Sequence, residues 1–141
     1  MRYLLVVLLS LTLSSFSAPD RLEKIYQVLK YVESNNNPEA VGDNGKAHGV
    51  LQIHKICVDD INRVYNTDYT HQQAFDETHS REMFHLYIKF GIRLFKIKYC
   101  RSPTEEEIVR MWNGGIYRGY RIKATKKYYK RYIQFKRLLQ K

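Results

Sequence analysis

Leu22, Ile25, Tyr26, Leu29 and Val32 recur at the three- and four-residue steps of one helix face, which predicts a first helix running to about Ser34. Asp20 and Glu23 have the spacing of an N-cap and its reciprocal acid, and Asn35-Asn36-Asn37-Pro38 stops the helix. Residues 41–53 change character. Three glycines and an Asp-Asn-Gly turn predict a short hairpin or a glycine-rich loop there. Helical patterns return over residues 56–66 and 76–99. Ser102-Pro103-Thr104-Glu105 is a capping signature with proline at the first helical position, and the helix it opens is closed by Asn113-Gly114-Gly115. Thr125 is the predicted cap of a last helix, whose apolar stripe is Tyr128, Tyr129, Tyr132, Ile133, Phe135, Leu138 and Leu139. The expected architecture is mainly α, with a small β-hairpin or loop excursion after the first helix.

The start of the chain follows another rule. Met1-Arg2 is followed by an almost unbroken apolar run over the 11 residues from Tyr3 to Leu13, and then by mostly small residues up to Ala18. That layout is a secretory signal peptide, and the run is shorter than the ~20 residues a membrane span needs. A cut after Ser17 leaves residues 18–141 as one exported domain, placed outside the cell or in a periplasm. Outside the cytoplasm Cys57 and Cys100 either pair or stay as two buried free thiols.

A chain of 141 residues with 44% hydrophobic content holds one core, and two cysteines exclude a disulfide scaffold. The formal charge of +10 is uneven: ten Lys or Arg and no acid follow from Arg118 onward, while the first 117 residues carry 14 of each sign. Basic side chains interleaved with Tyr117, Tyr120, Tyr128, Tyr129 and Tyr132 suit phosphate contact and base stacking. Export, and tyrosines at helical spacing, weigh against a specific nucleic-acid partner. The same charge suits long-range attraction to anionic cell-wall polymers; a plain solvated face and a membrane-perturbing amphipathic helix are the competing readings. The histidines His48, His54, His71, His79 and His85 show no zinc-type spacing, so no metal and no cofactor is expected.

Glu33 stands out. It follows Leu29 by four, Tyr26 by seven and Leu22 by eleven, which puts a carboxylate on the apolar face, in the last helical turn. Desolvation and the negative end of the helix dipole both push its pKa upward, as a general acid requires. The competing reading is a helix-end glutamate turned to solvent. Gln52, a polar amide between small glycines and apolar residues, suits the floor of a groove that a ligand approaches closely; its competing role is a structural amide satisfied by backbone.

Glu33-Ser34, Asn37-Pro38-x-Ala40 and Gly45-x-Ala47-x-Gly49-x-x-Gln52-Ile53 resemble the signature of the lysozyme-like superfamily, in particular soluble lytic transglycosylases and goose-type lysozymes. Trp112-Asn113-Gly114-Gly115 is similar to the Tyr-Asn-Ala-Gly segment of the transglycosylases. Gly119-Tyr120 and Thr125 to Tyr129 are similar to the tyrosine-containing C-terminal segment of phage and bacterial members. The resemblance covers about residues 22 to 133, and departs from the pattern at Trp112 and Leu51. It implies a lysozyme-like fold and cleavage of the β-1,4 bond between N-acetylmuramic acid and N-acetylglucosamine in peptidoglycan, by a monomer without a cofactor. It implies Glu33 as catalytic acid, Ser34 and Gln52 as groove residues, and Trp112, Asn113, Tyr117 and Tyr120 along the sugar path. Asp43 resembles the acid that positions water in goose-type lysozymes, though an Asp before Asn-Gly is also an ordinary turn residue; Asp59 and Asp60 are weaker candidates. Transglycosylation and hydrolysis both stay open, as does a non-catalytic wall binder.

Overall fold

The computed structural model describes residues 19–118 and 122–140. The expected leader and its cleavage site, together with Tyr120, lie outside the described residues. Five helices and one small sheet follow in order: α1 Pro19–Ser34, β1 Val41–Gly42, β2 Ala47–His48, β3 Ile53–His54, α2 Lys55–Tyr65, α3 Glu77–Tyr99, α4 Glu105–Gly114 and α5 Ile122–Leu139. Short 3-10 turns lie at Asp43–Gly45 and His71–Phe75. The chain is mainly helical, as its periodicity predicts. Among the described residues no helix is long and apolar enough to cross a membrane.

The face read from the sequence is the one α1 buries: Ile25, Tyr26, Leu29 and Val32 are all at most 1% exposed. Asp20 is already inside the helix, so it is not the cap predicted for it. At the other end Asn35 and Asn36 take left-handed backbone (φ 55° and 63°), which asparagine tolerates, and Asn36 N–H bonds back to Lys30 C=O at 2.9 Å. The chain then enters the glycine-rich segment, a three-stranded antiparallel sheet in the order β1-β2-β3, with Gly42 opposite Ala47 and His48 opposite Ile53. Gly49 closes the excursion at φ +74°; a Cβ there would lie 1.9 Å from Ala74 C=O, so only glycine lets the sheet lie against the turn before α3.

Two more predicted caps shift. α4 begins at Glu105, not Pro103: Thr104 is its cap, and its hydroxyl and the Glu107 carboxylate satisfy each other's backbone N–H groups. Thr125 lies within α5, 1% exposed, and its hydroxyl accepts a 2.8 Å hydrogen bond from Arg110 Nη1. Arg110 is itself buried, so its guanidinium needs acceptors, and Thr125 and Glu106 supply them. The stripe of α5 buries Tyr132 and half-buries Phe135, whereas Leu138 and Leu139 are 62% and 44% exposed. Cys57 is buried and Cys100 exposed, and both are free thiols, which departs from both expectations for the pair.

Candidate active site

A groove of about 250 Å³ opens at the C-terminal end of α1. One side is the sheet and the start of α2, through Gln52, Ile53 and His54; the other is the end of α4, through Trp112, Asn113 and Gly115. Glu33 lines it, and among the described residues lining the groove it is the one carboxylate.

Two hydrogen bonds hold the Glu33 side chain, and both end on the same oxygen. Tyr128 of α5 donates its hydroxyl to Oε1 at 2.5 Å, and Trp112 donates its indole N–H to Oε1 at 3.0 Å. Among the described residues no hydrogen bond reaches Oε2, which leaves that oxygen to carry a proton. Burial raises the Glu33 pKa; the donors Tyr128 and Trp112 and the more distant charge of Arg131 lower it, and burial wins. Burial and the adjacent Glu33 charge also push the Tyr128 hydroxyl well above its ordinary value, so it stays a donor.

Trp112 is fixed in turn by edge contacts with Phe84 and Tyr87, at centroid distances of 5.3 and 6.1 Å. Tyr128 occupies the position its helical spacing predicts but does more than fill the core. Its role was missed because a tyrosine in an apolar stripe reads as packing, and the one available signal was its place in the Thr125–Tyr129 segment of the resemblance.

Gln52 takes φ +51°, a left-handed backbone that is uncommon for glutamine. Its amide donates to Ala40 C=O at 3.1 Å and to Gly49 C=O at 3.0 Å, so the structural role and the groove position hold together. Gly42 lies beneath it; a Cβ at 42 would lie 2.1 Å from Gln52 Oε1 and would displace the amide. Ser34 is not among the groove-lining residues. Its hydroxyl donates to Val50 C=O at 2.8 Å and accepts from Asn37 N–H at 3.0 Å, tying the end of α1 to the segment that carries Gln52.

Asp43 is exposed at the tip of the β1–β2 connection and is not among the described groove-lining residues; His54 Nε2 lies 3.7 Å from its Oδ2. His54, which does line the groove, was considered only as a metal ligand in the sequence. Tyr117 lies elsewhere, 52% exposed, lining a separate shallow pocket with Tyr99 and Ile116. Asp59 and Asp60 are paired with Lys55 and Arg63 on their own helix. Among the described residues no group of three or more His, Cys, Asp or Glu is placed to hold a metal ion.

Compared with known proteins, the chain matches no family model, no curated protein and no solved structure.

Proposed function

We propose that this protein has a lysozyme-like fold and cleaves the β-1,4 bond between N-acetylmuramic acid and N-acetylglucosamine in peptidoglycan, with Glu33 as general acid and base. The observation that carries the reading is the Glu33 carboxyl, which lines the groove, is raised in pKa by burial and is pinned through Oε1, while no described hydrogen bond reaches Oε2. The Oε2 proton passes to the bridging oxygen as the bond from C1 breaks, releasing N-acetylglucosamine with its own hydroxyl restored. The 6-hydroxyl of the muramyl residue then attacks C1 and returns its proton to Glu33, giving a 1,6-anhydro end without consuming water. Hydrogen bonds from Tyr128 and Trp112 strengthen as charge builds on the carboxylate, which favours the first transfer. Asn113 and the exposed faces of Gln52 and Trp112 hold the sugar.

A single carboxylate in the groove supports this transglycosylase chemistry, because an inverting hydrolase needs a second carboxylate about 6.5–9.5 Å away. One observation favours hydrolysis as a second reading: Asp43 contacts His54, which does line the groove. Export through the leader sequence and attraction of the basic C-terminal helix to anionic wall polymers would bring the protein to its substrate. Release of soluble muropeptides from purified peptidoglycan tests the proposal. Wild type is expected to release them and Glu33→Gln is not; equal release by both would place the chemistry elsewhere, and no release from several wall types would leave a binding protein.

A further inference from the structure

A larger cavity, about 480 Å³, lies away from the groove, between the first turns of α1, one flank of α3 and the loop before α4. Its size is within the ~300–1,000 Å³ typical of small-ligand sites. Arg21, at its rim, is twelve residues before Glu33, which is roughly 18 Å of helix axis. The two cavities share no lining residue.

Its chemistry is one-sided. Leu22, Ile92, Pro103 and Ile108 supply an apolar lining, and Arg21, Lys89 and Lys96 a basic one, with no acid among the described lining residues. His85, Lys89, Ile92 and Lys96 fall on one stripe of α3, so its two lysines flank an isoleucine. Some basic groups elsewhere are paired with acids: Lys30 with Glu77, Arg81 with Glu23, Arg101 with Glu107 and Lys136 with Glu105. Lys89 and Lys96 have no such partner among the described residues. His85 is held at the end of the cavity by Glu23, and Arg21 donates to Pro103 C=O at 3.2 Å, which fixes the rim.

We propose that this cavity binds a short acidic peptide with alkyl side chains, its carboxylates on Lys89 and Lys96 and its methyl groups on the apolar lining. The spacing fits. Seven residues of helix separate the lysines by roughly 10 Å, and three extended residues of a peptide span about the same length. A phosphodiester polymer matches the charge but leaves the apolar lining uncovered. Identifying the peptide with the stem peptide of the wall rests on the function proposed above; peptide binding itself does not.

The test is calorimetric titration of Glu33→Gln protein with a synthetic stem tetrapeptide bearing free carboxylates, with the same peptide amidated, and with a glycerol-phosphate oligomer. The free tetrapeptide is expected to bind one to one, and amidation to weaken it about tenfold, as is Lys89→Gln/Lys96→Gln, which replaces two exposed side chains. An unchanged circular dichroism spectrum shows the double variant to be folded, and its release of muropeptides in a wild-type Glu33 background is expected to persist. No tetrapeptide binding, binding indifferent to the two lysines, or an equal preference for the phosphate oligomer overturns the proposal. Peptide binding by a wild-type protein that cleaves nothing would sustain it and remove only the proposed catalytic function.

Discussion

Two tyrosines one turn apart on α5 each donate a hydroxyl to a glutamate, and the two glutamates end in opposite states. Tyr128 reaches Glu33 on α1, and Tyr132 reaches Glu105 on α4 at 2.8 Å. Burial raises both carboxyls. At Glu105 the hydrogen bonds from Lys136, with Nζ at 2.6 Å, and from Tyr132 more than offset it and leave the pKa lowered. At Glu33 the second donor is a neutral indole and Arg131 acts only through its charge, without a described contact, so the pKa stays raised. The tyrosine bond is common to both sites. The absence of a contacting cation is what lets burial raise the Glu33 carboxyl while the Glu105 carboxyl is lowered.

The largest expected effect breaks this comparison at its functional end. Glu33→Gln keeps the acceptor for Tyr128 and Trp112 and removes the proton, so muropeptide release should fall by about 10²–10⁴-fold or more. Glu105→Gln should leave release at the wild-type level. Next, Tyr128→Phe removes one donor that lowers the Glu33 pKa, so the alkaline limb of the pH–rate profile should move to higher pH. The rate should drop roughly fivefold, the equivalent of about 1 kcal/mol for one hydrogen bond. Tyr132→Phe should cost similar stability in urea unfolding without moving the profile.

Lys136→Met sharpens the other arm. Glu105, lowered in the folded state from an ordinary value of 4.5, contributes stability that is present above that value and lost as pH falls through the folded one. The variant should therefore unfold about 0.5–1 kcal/mol more easily at neutral pH, and the gap should close in acid. The smallest effect concerns the stability of Glu33→Gln. A raised pKa contributes stability that is full below 4.5 and lost as pH rises through the folded value. The glutamine variant should therefore melt above wild type at alkaline pH and match it near pH 4.

Much of the fold was legible because its elements are amphipathic: the buried face of α1 and the extents of α2 and α3 follow from spacing alone. Glu33 was legible for the same reason, as a charge where an apolar residue belongs. What spacing cannot carry is which elements meet. Tyr128 and Glu33 are 95 residues apart in sequence, and their bond exists because α5 packs on α1. Thr125 was misread as a cap because the buried Arg110 that needs its hydroxyl comes from another helix. Asp43 has a position in the motif resemblance that draws it toward the groove, yet the turn it occupies leaves it exposed beside His54.

The most direct test of the Glu33 mechanism is mass spectrometry of the fragments that the purified protein releases from peptidoglycan. Proton transfer out and back through one carboxyl yields anhydro-ended muropeptides, lighter by one water than reducing-ended ones. Reducing-ended products would contradict the single-carboxylate account and bring Asp43 and His54 into the chemistry.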